Sequence, residues 1–275
     1  MPNPSSSNGG QLSVKVDNDA CTGEVYLHGA TVTAWQPKGA EPVLWLSSQS
    51  AFDGAAPIRG GVPICFPWFG PGRDGDKAPA HGWARISEWA FEGSRDLDGA
   101  TELTFTLSRD GVDLTYVVTM GEALELVLTA HASGSDAVDI EQALHTYLTV
   151  GDSRQISLSG LDGVEYVDKV DGATTKTQDG DITITGETDR VYLKGSDVTV
   201  DDPALNRRLV VRSQGARNTV VWNPWVDKSA AMPDFGDDEW TGMVCVEAAN
   251  ALGDAFSLKP GGSATLAQRI TVAPR

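Results

Sequence analysis

Apolar and polar residues alternate at period two in run after run along this chain. The clearest runs are "QLSVKVDN", "ELTFTLS", "LTYVVTM", "LELVLTAHAS" and "ATLAQRITVAP". "GEVYLHG", "ATVTAWQP", "PVLWLS", "DITITG", "LVVRS", "NTVVWNP" and "MVCVEA" share their β-branched and aromatic content. Successive side chains of a strand point to opposite faces, so this pattern predicts half-buried strands. Gly, Asp and Asn punctuate the runs, and "SRDGVDL" and "SGLDGVEY" predict hairpin turns. No long segment carries the 3.6-residue period of an amphipathic helix. The runs continue without a linker and are too many for a small barrel. The expected fold class is therefore all-β, a large antiparallel β-sandwich forming a single domain over residues 1–275. Residues 1–10, "MPNPSSSNGG", are expected to be a flexible lead-in without the regions of a signal peptide. No apolar run is long enough to cross a bilayer, so no membrane partner and a cytoplasmic location are expected.

The 275 residues hold 38 acidic and 21 basic side chains, a formal net charge of -17. Such a surface repels phosphate backbones and argues against nucleic acid as a partner. An anionic substrate needs a local basic pocket to bind it. The cysteines, Cys21, Cys65 and Cys245, are widely spaced and flanked by apolar residues. They form neither a CxxC pair nor an even framework, which predicts buried free thiols rather than disulfides or zinc.

The longest stretch without strand character, "DGAAPIRGGVPICFPWFGPGRDGDKAPAHGWAR", covers residues 53–85. Long irregular segments in compact domains are usually functional or disordered, and the aromatic content here argues against disorder. Arg59 lies between "PI" and a pair of glycines, which suggests close backbone approach to a ligand. Arg85 and His81 lie in "HGWAR". The 4 histidines, His28, His81, His131 and His145, show no HxH or HxxxH spacing, so a metal site is not expected. His145 sits in the apolar alternating run "IEQALHTYLTV", and Asp189 precedes a strand in "GETDRVYL". In "GMVCVEAANA", Glu247 follows an apolar run, a costly place for a carboxylate unless something there uses its charge.

Taken singly, each of these residues is compatible with a structural role. Together, "PIRGGVPICFPWFGP", "HGWAR", "LHTYL", "ETDRVY", "WNPWVDK" and "MVCVEAANA" occur in an order that resembles the hexose-6-phosphate mutarotases, or glucose-6-phosphate 1-epimerases, of the aldose 1-epimerase group. The resemblance spans nearly the whole chain. It implies a galactose-mutarotase-like β-supersandwich, in agreement with the strand pattern. It also implies that Glu247 is the general base and His145 the general acid, and that His81 and Asp189 contact the sugar. Arg59 and Arg85 would line the phosphate side, with Lys228 a further candidate there.

The implied reaction exchanges the α and β anomers of a hexose 6-phosphate. A base takes the proton of the anomeric hydroxyl, an acid protonates the ring oxygen, and the roles reverse on closure. In this reading His145 begins protonated, favoured by a nearby carboxylate such as Asp189. Trp68, Trp83, Trp222 and Trp225 are candidates to stack on the sugar, with at least half of them expected in the core. No cofactor is expected, the partner is a small sugar phosphate, and the protein is expected to be a monomer. Competing readings are an epimerase of unphosphorylated aldoses, a non-catalytic carbohydrate-binding module, and a glycoside hydrolase using Asp189 and Glu247.

Overall fold

The computed structural model describes residues 1–275. Strands are numbered along the chain. The larger sheet has nine strands in the spatial order β16 (Ile182–Thr183), β13 (Ser157–Ser159), β18 (Val198–Asp202), β19 (Arg207–Gln214), β23 (Ser263–Pro274), β9 (Ala123–Ala132), β8 (Val112–Met120), β7 (Ala100–Arg109) and β6 (Ala90–Leu97). A second sheet has eight: β15 (Thr174–Thr177), β14 (Glu165–Asp168), β17 (Thr188–Tyr192), β20 (Asn218–Asn223), β21 (Met243–Asn250), β11 (Gln142–Leu144) and β5 (Ile64–Cys65), with β12 (Tyr147–Thr149) also paired to β21. A four-stranded sheet holds β1 (Ser5–Ser6), β2 (Leu12–Asp17), β3 (Cys21–Tyr26) and β4 (Val32–Pro37), and β10 (Val138–Ile140) pairs with β22 (Phe256–Leu258). The strand pairs are antiparallel, as period-two alternation with one polar face requires. The one α-helix, α1, is Trp225–Ala231.

The main core lies between the two large sheets. Leu126, Leu128, Leu266 and Ile270 from the nine-stranded sheet join Leu144, Leu148, Val221, Val244, Val246 and Ala248 from the eight-stranded one. Each such side chain contributes roughly 1.5–3 kcal/mol by leaving water. On β21 every residue is buried, so the alternation shows in direction rather than exposure. Val244, Val246 and Ala248 enter the sandwich, whereas Met243, Cys245 and Ala249 belong to two small clusters on the sheet's other side. Glu247 shares the parity of that second set. It lies on the outer face of the eight-stranded sheet, outside the main core.

Some expectations are corrected. The opening segment is not a free lead-in: Ser5 and Ser6 pair with Ser13 and Leu12, and Ser7 Oγ donates to Glu24 Oε1 at 2.8 Å. Its hydroxyls find acceptors on β3, a gain that composition does not reveal. "SRDGVDL" forms the β7–β8 hairpin, with Asp110 and Gly111 at positive φ. "SGLDGVEY" does not form one, because β13 and β14 belong to different sheets. The buried Leu161 anchors that crossing in the main core. The glycines beside Arg59 serve protein backbone rather than a ligand. At Gly60 a Cβ would meet the backbone of Trp45 and Leu46, and at Gly61, with φ of +63°, it would meet the Val32 carbonyl. Gly61→Ala is therefore expected to lower the unfolding free energy by at least ~2 kcal/mol, read from the shift of the urea midpoint.

Candidate active site

Strand register alone brings the outer-face residues together. Across the eight-stranded sheet, Val167 faces Val191, Val191 faces Val220, and Val220 faces Glu247. Leu144 faces Ala248 and Tyr147 faces Cys245, which leaves His145 opposite Glu247. The next row runs from Asp189 through Trp222 and Cys245 to Tyr147. The backbone departs from the regular ladder at His145, whose N–H donates to the Pro63 carbonyl at 3.0 Å. His145 Nε2 lies 3.5 Å from Glu247 Oε1. Its ring stacks on Tyr147 at 4.7 Å and 12°, and meets Trp222 edge-on at 6.1 Å. His145 Nδ1 and Glu247 Oε2 are both buried without a protein partner.

The irregular 53–85 segment supplies the rest of the wall. His81 has a φ of 65°, and its backbone N–H donates to Gly70 O at 2.6 Å. The Gly70 N–H donates to His81 Nδ1 at 3.2 Å, and Cys65 Sγ lies 3.3 Å from the same nitrogen. An accepting Nδ1 places the ring proton on Nε2, so His81 presents a neutral N–H donor. Its ring packs edge-on against Phe69 at 4.8 Å and His145 at 5.7 Å. Arg59 is braced by Asp234, whose Oδ2 accepts from Nε and Nη2 at 3.0 Å each, and by Tyr147 OH at 3.1 Å. Arg85 Nη2 donates to Ala80 O at 2.7 Å, while its Nε is buried without a partner.

Asp189 is paired with a residue that sequence reading passed over. The register that sets Asp168 opposite Arg190 sets Lys169 opposite Asp189, with Nζ 3.6 Å from Oδ2. Lys169 Nζ also lies 5.5 Å from the Phe69 ring centroid. Lys228 is engaged elsewhere: its Nζ bonds to Glu187 Oε1 at 2.7 Å. Of the tryptophans, Trp83 is in the main core, Trp68 packs against it and donates to Pro79 O, and Trp225 packs on Trp240 at 4.3 Å. Trp222 alone of the four touches His145. The cysteines are free and buried.

With this geometry established, comparison with known proteins is decisive. Residues 13–271 match the aldose 1-epimerase family. The chain belongs to that family. Among aldose 1-epimerase relatives, an Escherichia coli protein named "Putative glucose-6-phosphate 1-epimerase" is 38% identical over 273 residues, covering 95% of this chain and 90% of its own. The crystal structure of a "putative mutarotase" from Salmonella typhimurium superposes with a TM-score of 0.89 at 34% identity, covering 96% of this chain and 91% of its own. A galactose 1-epimerase from Lactobacillus acidophilus shares the fold, with a TM-score of 0.72 at 15% identity over 100% of this chain and 99% of its own. The galactose-mutarotase-like fold expected from the sequence is the one observed.

In this aldose 1-epimerase family member, burial and charge set the protonation of the paired groups. Burial, reinforced by Asp189, lifts the Glu247 carboxyl well above its ordinary range, against the pull of Lys169 and Arg85. Burial also pushes the His145 imidazole well below its ordinary value, and Arg85 and Arg59 push it the same way. The expectation that His145 begins protonated runs against both directions: in the free protein burial and the arginines favour the neutral imidazole, and burial and Asp189 favour the protonated form of Glu247. His81 is held neutral for the same reasons, burial first and then Arg85. Cys245 brings a third potential ligand atom within 4.8 Å of those of His145 and Glu247, a set that spacing along the sequence did not reveal. Burial and Glu247 raise that thiol well above its usual value, which opposes the thiolate a metal ion needs.

The raised Glu247 pKa has a definite sign for stability. As pH rises from the ordinary value of 4.5, the unfolded chain loses this proton before the folded one does. The contribution is full below that value and falls as pH climbs toward the folded value. Glu247→Gln removes the loss, so its unfolding free energy relative to the parent should increase as pH rises above about 5, measured by urea denaturation at each pH.

Proposed function

We propose that this chain interconverts the α and β anomers of a hexose 6-phosphate, glucose 6-phosphate above all, by acid–base opening and closing of the pyranose ring. The observation that carries the reading is the 3.5 Å approach of His145 Nε2 to Glu247 Oε1 on a covered face. The anomeric hydroxyl and the ring oxygen are bonded to the same carbon. Their proton partners must therefore lie a few ångströms apart, as these two atoms do.

Ring opening needs Glu247 as carboxylate and His145 as imidazolium. Glu247 removes the hydroxyl proton while His145 protonates the ring oxygen, and the open-chain aldehyde turns about its C1–C2 bond. Closure uses the opposite distribution, a protonated Glu247 and a neutral His145, which is the one the free site favours. A bound phosphate supplies the missing shift. Arg59 and Arg85 are among the causes that depress His145. An anion that neutralises them raises its proton affinity and moves the proton from Glu247 to His145. His81 Nε2–H and Asp189 hold sugar hydroxyls, so that C1 presents both oxygens to the pair.

The phosphate preference rests on the arginines. Arg85 is destabilised as a cation by burial and by Arg59, and its Nε lacks a partner. A dianion beside two guanidinium groups satisfies donors and relieves their repulsion. An unphosphorylated aldose offers hydroxyl acceptors but no charge to relieve that repulsion. The names of the Escherichia coli relative and of other relatives support the same substrate.

Two outcomes follow. Glu247→Gln should reduce anomer exchange of glucose 6-phosphate, followed by exchange NMR, by roughly 10²–10⁴-fold while sugar-phosphate binding persists. A variant that exchanges at the parental rate would overturn the assignment of the base. Arg85→Met should raise KM for glucose 6-phosphate by about tenfold or more and, because it removes a cation that depresses His145, should not slow exchange of glucose, as competition kinetics on the two sugars would register.

A further inference from the structure

Lys169 is the cation on the outer face for which the reaction described above has no use. It follows β14, and its placement is firm. Its backbone N–H donates to the Asp189 carbonyl at 2.9 Å, and the preceding Asp168 caps the turn by accepting from the Val170 N–H at 3.1 Å. Asp168 is itself held by Lys176 at 2.8 Å. The turn therefore aims Lys169 at one place, between Asp189 Oδ2 and the Phe69 ring. Phe69 in turn carries His81 edge-on, so Lys169 closes the arc that runs from His81 to Asp189.

The 3.6 Å between Nζ and Oδ2 is longer than a charged hydrogen bond, and the Lys169 side chain is 35% exposed. The ammonium keeps donors to offer, and the carboxylate keeps acceptor positions. A sugar hydroxyl is donor and acceptor at once, so it fits such a pair in a way that an apolar or purely anionic group does not. Glu247 is faced by Asp189 from β17, by Lys169 from the turn after β14, by Arg85 from the 53–85 segment, by His145 between β11 and β12, and by Cys245 on its own strand. Of these, Asp189 is the carboxylate that opposes its ionisation, and Lys169 is the cation paired with Asp189.

We propose that Lys169 is a substrate-positioning residue: with Asp189 it forms a donor–acceptor pair that grips a ring hydroxyl of the sugar, and its ammonium offsets the Asp189 carboxylate facing Glu247. The inference rests on the anomer-exchange reading for its first half and on the free protein alone for its second. An isolated, half-exposed ion pair would have little effect on either.

Lys169→Met and Lys169→Arg separate the possibilities. In Lys169→Met, KM for glucose 6-phosphate should rise about tenfold or more, and Lys169→Arg should recover part of the loss. In the substrate-free protein with ¹³C-carboxyl-labelled glutamate, the Glu247 titration midpoint should move to higher pH in Lys169→Met and return toward the parental value in Lys169→Arg. A parental KM together with an unmoved Glu247 midpoint would overturn the proposal, leaving Lys169 a surface ion pair. Should the parent protein fail to exchange anomers, the anomer-exchange reading falls. The NMR titration and equilibrium binding of glucose 6-phosphate would then still decide the role of Lys169.

Discussion

The structure depends on a carboxylate buried on the wrong side of an apolar strand. Glu247 is 1% exposed, and its neighbours Val246 and Ala248 point into the main core. An ionised carboxylate without a partner is not tolerated in such a place, so the group either binds a proton or is matched by charge. Both answers are built in. Burial and Asp189 favour the proton, Lys169 and Arg85 favour the charge, and His145 Nε2 stands 3.5 Å away. A carboxyl whose proton affinity is set by burial and by opposing neighbours is the kind of group that general acid–base chemistry uses.

The rest of the outer face serves that balance. Tyr147 links two parts of it: its ring stacks on His145 and its hydroxyl accepts from Arg59. Asp234 braces the same arginine from the far side. His81 is fixed in one tautomer by the Gly70 N–H, which needs the positive φ at His81 and the tight loop around it. The charge of -17 over the whole chain is compatible with a local cluster of cations, Arg59, Arg85 and Lys169, around His145 and Glu247.

Much of this was legible in the sequence. Period-two alternation identified the strands and the antiparallel sandwich, because one face of each strand had to be apolar. The motif order singled out Glu247, His145, His81, Asp189, Arg59 and Arg85, which the fold brings near one another. What was not legible depended on register. Lys169 lies in an ordinary turn sequence, "DKVDG", and joins the cleft only because β14 pairs with β17 in one particular alignment. Lys228 had a motif beside it yet finds Glu187 instead. The expected protonation of His145 runs against its burial first and then against Arg85 and Arg59, which are distant in sequence and brought near by the fold. The pairing of Ser5 and Ser6 with β2 is followed by a Ser7 hydroxyl that meets Glu24 on β3, a contact that local composition does not encode.

The two walls of the cleft differ in how freely they can change. Arg59 is followed by glycines wedged against the backbone of Val32 and of Trp45–Leu46, so any shift there must move β4 and the Trp45–Leu46 segment. Lys169 projects from a turn in which residues 169–175 are all exposed. Divergence of this scaffold toward other sugars would therefore proceed most readily through that turn, altering which ring substituents are tolerated while the anchorage for the distal anion stays unaltered.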